Sequence, residues 1–124
     1  MSRGRLLLVD DDDDIRAIAR MSLTRIGGWE VVPAASADEA EAAARHAPPA
    51  VVLLDVMMPD VDGPATLERL RPLIGDAPVI FLTAKTQAAD LERLTSLGAL
   101  GVIAKPFDPM ALPGEVDGLI GGAG

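Results

Sequence analysis

The sequence predicts an α/β domain of the doubly wound kind, a parallel sheet with helices on both faces and the element order (βα)5. Three observations carry that prediction. Short runs such as Arg5–Val9, Ala50–Leu54 and Pro78–Leu82 are apolar at successive positions, the pattern of strands buried on both sides. Segments with apolar residues at helical spacing lie between them. The chain of 124 residues suits one core, and with aromatics at 2% that core must come from Val, Leu, Ile, Ala and Met.

Each element has a local reason. Arg5–Val9 reads as the first buried strand. From Asp14 to about Ile26, apolar residues at Ile15, Ile18, Ala19, Leu23 and Ile26 fall on one helical face, and Gly27-Gly28 ends it. Trp29–Val32 is a second, shorter strand. Ser36 and Glu39 have capping-box spacing before an Ala-rich helix to about His46, which Pro48-Pro49 stops. Ala50–Leu54 is the central strand. Asp55–Gly63 is a loop in which Pro59, Asp60, Asp62 and Gly63 read as turn formers, and Pro64 opens a helix to about Leu73. Pro78–Leu82 is the fourth strand, Thr86 to about Leu97 the fourth helix with Gly98 at its end, and Val102–Ala104 the fifth strand. The last helix, about Asp108–Ile120, holds Pro113, Gly114 and Gly118 and is expected to be short or kinked, with a fraying tail over Gly121–Gly124. Residues 1–124 thus form a single domain with an ordered core over about 4–120.

Bulk properties narrow the function. A net charge of -8 argues against direct nucleic-acid contact, which needs a basic surface, and against docking on anionic membranes. No apolar run approaches the roughly 20 residues that span a bilayer. The start, MSRGRLLLVDDDDD, lacks a cleavage site, so a cytoplasmic setting is expected. With no cysteine, disulfides and thiol chemistry are excluded.

In open parallel sheets, ligand sites lie beyond the carboxyl ends of the strands. Asp10 and Asp11 follow the first strand, Asp55 the third, Thr83 the fourth and Lys105 the fifth. Three carboxylates, one hydroxyl and one ammonium therefore converge on one edge. Clustered carboxylates repel unless a cation joins them. Hard oxygen donors with room for water suit Mg²⁺. An aspartate can act as a nucleophile and form an acyl phosphate, with donor and cationic groups around the phosphoryl oxygens.

The runs LLLVDDDDDIR, VVLLDVMMPDVDG, VIFLTAK and GVIAKPF, in this order and spacing, closely resemble the receiver domain of bacterial two-component response regulators, the chemotaxis-Y-like family. The resemblance covers nearly the whole chain and weakens after about Pro109. It implies a flavodoxin-like strand order 2-1-3-4-5. It implies that Asp55 is the phosphoacceptor, and that Asp10, Asp11, Asp55 and the backbone carbonyl of Met57 hold Mg²⁺, for which Mn²⁺ can substitute. Thr83 matches the switch hydroxyl with Ala84 as its small neighbour, and Lys105 the lysine that pairs with the phosphoryl group, before a cis bond to Pro106. The implied partners are a sensor histidine kinase or phosphotransfer protein upstream, and a downstream protein target or output domain.

Three features depart from the family pattern. Val102 stands at the second switch position, where Tyr or Phe is usual. Pro113 and Gly114 interrupt the last helix. The chain ends at Gly124, which fits a stand-alone receiver or a fragment of a larger regulator. Other residues have bland readings: His46 as an exposed helix end, Trp29 as packing at the second strand, Met57-Met58 as loop and packing, Arg16 as a solvated or locally paired helix residue. Lys85, two residues after Thr83, is placed to influence access to the phosphoryl group. Two other functions share the residues: a Mg²⁺-dependent phosphohydrolase with an aspartyl-phosphate intermediate, and a receiver-like interaction module that is never phosphorylated. Against the first, the acid/base position two residues after Asp55 is Met57. Against the second, the acidic pair, acceptor and lysine are all present.

Overall fold

Five strands and five helices alternate along residues 3–122, the part of the chain that this computed structural model describes. The strands are β1 (Arg5–Val9), β2 (Glu30–Ala34), β3 (Val51–Asp55), β4 (Val79–Thr83) and β5 (Gly101–Ala104). The helices are α1 (Asp13–Arg25), α2 (Ala37–His46), α3 (Gly63–Ile74), α4 (Ala88–Ser96) and α5 (Leu112–Gly122). All strand pairs are parallel, in the order β2-β1-β3-β4-β5, as expected.

The unbroken apolar runs make sense once both faces of the sheet are covered. Successive side chains of a strand point to opposite faces. Leu7, Val9, Val52, Leu54, Val79 and Phe81 pack with Ala40 and Ala44 of α2, Leu67 and Leu70 of α3 and Leu94 of α4. Leu6, Leu8, Val51, Leu53, Ile80 and Leu82 pack on the other face with Ala19 and Leu23 of α1 and Leu112 and Val116 of α5. Each fully buried Leu, Val, Ile or Phe contributes about 1.5–3 kcal/mol. The chain runs from β1 outward to β2, then returns past β1 to β3, so the strand order reverses between β1 and β3. The crevice at their carboxyl ends is where such sheets carry ligands.

Several boundaries differ from expectation, each for a physical reason. β2 runs through Pro33 to Ala34 rather than stopping at Val32. It is an edge strand, where a residue without an N–H is tolerated. The extension matters, because the Asp10 N–H donates to the Ala34 carbonyl at 3.1 Å. α1 starts at Asp13, earlier than expected, with Asp12 as its N-cap: the Asp12 carboxylate accepts from the Asp14 and Ile15 N–H groups at 2.9 and 3.1 Å. α4 starts at Ala88 instead of Thr86. The expected interruption of the last helix does not occur. α5 is continuous over Leu112–Gly122, and Pro113 sits in its first turn, where its missing N–H breaks no helical bond. Of the tail expected to fray, residues 123 and 124 lie outside the described residues.

Trp29 is buried just before β2, as its packing role requires. The Arg3 guanidinium lies over its ring, 4.4 Å from the centroid, and pairs with Asp117 of α5. The capping box expected of α2 is half formed: Ser36 accepts from the Glu39 N–H, but the Glu39 carboxylate accepts from the N–H of Ala35 rather than that of Ser36. Arg69 of α3 pairs with both Asp38 and Glu41 of α2. His46 is exposed in the last turn of α2. No helix among the described residues is long and apolar enough to cross a membrane.

Candidate functional site

Asp55 is the last residue of β3 and is only 3% exposed. Two groups hold one of its oxygens: Oδ1 lies 3.1 Å from the Lys105 ammonium and accepts from the Met57 N–H at 3.3 Å. Its Oδ2 takes no hydrogen bond among the described residues. Gly63, at the start of α3, makes the strand end possible. A Cβ there would sit 2.5 Å from the Asp55 carbonyl and 2.8 Å from the Val56 Cα, so only glycine fits. The sequence showed Gly63 only as a turn former; this contact spans eight residues and leaves no local signal.

Asp10 follows β1 and is fully buried. Its N–H donates to Ala34, its Oδ1 accepts from the Asp12 N–H at 2.9 Å, and its Oδ2 lies 2.8 Å from Lys105 Nζ. That Oδ2 contact has the distance of an ion pair without the direction of a good hydrogen bond, so the atom is buried and incompletely satisfied. Asp11 is exposed, and its carboxylate has no partner among the described residues. Oxygens of Asp10, Asp11 and Asp55 all lie within 4.8 Å of one another. These three residues, with Asp12, Ile15, Met57, Ala84 and Lys105, line an open cavity of about 270 Å³.

The electrostatics follow from burial. Removal from water pushes the Asp55 carboxyl up, and repulsion from Asp10 adds to it. The Lys105 charge and hydrogen bond and the Met57 N–H pull it back, leaving it at about 6. Burial alone would favour neutral Lys105, but Asp10 first and Asp55 second outweigh it and hold the ammonium above its ordinary range. The donor set fits a hard divalent cation: three carboxylates at one point, one with a buried oxygen lacking a hydrogen bond, and solvent on one side.

Known proteins show where this arrangement belongs. The response regulator receiver domain family matches residues 6–117. The chain belongs to this family.

Relatives of this receiver include the probable transcriptional regulator ycf27 of Cyanophora paradoxa, 38% identical over 120 residues, 97% of this chain and 49% of that protein. Response regulator Rre1 of Synechocystis sp. is 38% identical over 117 residues, 93% of this chain and 51% of that protein. The chain thus spans about half the length of the curated relatives it matches. Chemotaxis protein CheY4 of Vibrio cholerae superposes with a TM-score of 0.86 at 30% identity, covering 94% of this chain and 98% of that one. Receiver domains of two-component response regulators serve as phosphoacceptors, so this is a signalling domain.

The receiver's expected site residues do not all share one cavity. Asp10, Asp11, Asp55 and Lys105 meet as expected, and the Lys105–Pro106 peptide is cis. Thr83, at the end of β4, is 2% exposed, and its hydroxyl accepts from the Lys85 N–H at 3.0 Å. It opens on a neighbouring cavity of about 70 Å³ shared with Lys85, Asp90 and Arg93. Met57 borders both cavities and is 61% exposed. Val102 lines neither; it is half-buried against the core face that holds Leu94, and pairs in register with Phe81. Arg16, read as a solvated or locally paired residue, donates to the Asp10 carbonyl at 2.8 Å and pairs with Asp13. The bond to Asp10 joins two ends of a loop, which helical spacing does not reveal.

Proposed function

We propose that Asp55 accepts a phosphoryl group from the phosphohistidine of a sensor histidine kinase or phosphotransfer protein. Asp10, Asp11, Asp55 and the Met57 carbonyl would hold Mg²⁺, or Mn²⁺ in its place. The observation that supports this most is the division of labour on Asp55: Oδ1 is held by Lys105 and Met57, Oδ2 takes no hydrogen bond among the described residues, and the residue lines the open cavity. In the transfer, Oδ2 forms a bond to phosphorus as the phosphorus–nitrogen bond breaks, and the imidazole leaves with that electron pair. When bound, the cation supplies neutralising charge for the phosphoryl oxygens.

The chain's own residues do the rest. Lys105 is already at Asp55 and needs only to exchange a carboxylate oxygen for a phosphoryl oxygen. Thr83 must give up the Lys85 N–H and turn its hydroxyl past Met57 to donate to the phosphoryl group. That turn is the switching step, read by a downstream protein target or output domain through the α4–β5–α5 side. Val102 takes part by packing rather than by swinging a ring. Direct contact with nucleic acid or membrane by this acidic domain is not part of the proposal.

The test is intact mass after incubation with a small-molecule phosphodonor and Mg²⁺. One phosphoryl adduct in the parent chain and none in Asp55→Asn is expected. No adduct on a folded parent chain would sink the proposal, as would sustained turnover of a phosphate monoester, which would make it a hydrolase.

A further inference from the structure

We infer that Arg16 is a positioning residue for the ion-binding carboxylates and acts through the Asp10 carbonyl. This rests on the reading of Asp10 and Asp11 as ligands given above. Asp10 lies just past the end of β1, where its carbonyl has left the sheet ladder. Arg16, one turn into α1, takes that carbonyl with Nη1 at 2.8 Å and reaches Asp13 with Nη2. The guanidinium is tucked in, with its side chain 19% exposed against 87% for Asp13. Its planar fork of donors can hold both acceptors at once, which a single ammonium cannot do as well.

Asp11 explains why this matters. Its carboxylate has no partner among the described residues, so the backbone alone aims it. On one side, the Asp10–Asp11 peptide plane is fixed through the carbonyl held by Arg16. On the other, the Asp12 N–H is fixed by Asp10 Oδ1, and the Asp12 side chain caps α1. Releasing the carbonyl frees the plane and lets Asp11 turn away. Simple electrostatics predicts the opposite effect: Arg16 is a cation beside a cation site, and removing it should tighten ion binding. The two accounts differ in sign.

The experiment is titration calorimetry with Mg²⁺ on the full chain at pH 8. Measurable binding in the parent chain and its loss in Asp11→Ala establish the ligand reading independently. Arg16→Met, which keeps the aliphatic stem, is then expected to weaken Mg²⁺ about tenfold. Arg16→Lys keeps the charge and should fall between the two. In ion-free protein, amide exchange at Asp12 should quicken in Arg16→Met with global unfolding unchanged. Unchanged or tighter Mg²⁺ binding in Arg16→Met overturns the inference even when Asp11→Ala behaves as expected. Failure of the parent chain to bind Mg²⁺ overturns the ligand reading and the inference together.

Discussion

The loop from β1 into α1 and the loop from β4 into α4 both leave the same edge of the sheet, yet they are built differently. In the first, Asp10 is held at its N–H, its carbonyl and both carboxylate oxygens, and Asp12 caps the helix through two N–H groups. In the second, residues 84–89 are exposed, and Gln87 stands at the N-cap of α4 without a side-chain hydrogen bond. α4 buries only Leu94. One side of the site is fixed in advance of any ligand, and the other is lightly held. A switch needs both: a rigid frame for the incoming group, and an element whose displacement costs little.

The sharpest break of this contrast is Lys105→Met. It leaves Asp10 and Asp55 buried without their cation, and should cost about 3 kcal/mol in urea unfolding at pH 8. Adding Mg²⁺ should restore much of the loss, since a cation then replaces the ammonium. No recovery would mean that the carboxylates do not share a cation. Leu94→Ala should cost about 2 kcal/mol, with faster amide exchange confined to α4. Faster exchange spreading into β1 and β3 would show that the two sides are not separable.

Acidity offers a third test. The Asp55 carboxyl sits at about 6 in the folded chain, above its ordinary 3.8. The folded state therefore binds that proton more tightly than the unfolded state does. Its stabilisation is full below about pH 4 and is lost as pH rises through about 6, on the order of 3 kcal/mol without Mg²⁺. Urea midpoints across that window should fall with pH in the parent chain, and the slope should flatten in Asp55→Asn or with saturating Mg²⁺. The smallest effects come from the caps. Asp12→Ala should cost about 1 kcal/mol, whereas Gln87→Asp should gain about 0.5 kcal/mol by giving α4 the cap it lacks. Thermal melts would resolve both. A loss on Gln87→Asp would mean that α4 is held by something other than its termini.

The fixed side was also the legible side. β1 and β3 are continuous apolar runs that end on carboxylates, and β5 ends beside Lys105, so strand register alone carries Asp10, Asp11, Asp55 and Lys105 to one edge. What the sequence hid is non-local or degenerate. Five identical aspartates gave no way to see that Asp12 is the N-cap and that the helix begins at Asp13 rather than Asp14. The second strand's expected end at Val32 falls short of Pro33 and Ala34, and an edge strand, which tolerates a proline, cannot be told from a central one before the sheet is assembled. Pro113 read as a breaker because its meaning depends on a helix start that no capping side chain marks. Thr83 was placed on the right strand, but its opening on a second cavity depends on where Met57 lies.

Trp29 has a practical consequence. It is the chain's single tryptophan, there is no tyrosine, and it precedes β2 at the sheet end away from the carboxylates, a strand length of about 16 Å. When excited at wavelengths that phenylalanine does not absorb, emission therefore arises from one ring beneath Arg3 and beside α5. A small ion bound at the carboxylates lies at the other end of the sheet from it. The molecule carries an optical label for whole-chain unfolding that is well separated from its chemistry, so the fluorescence of ion-loaded and ion-free protein can be compared without quenching by the ion itself.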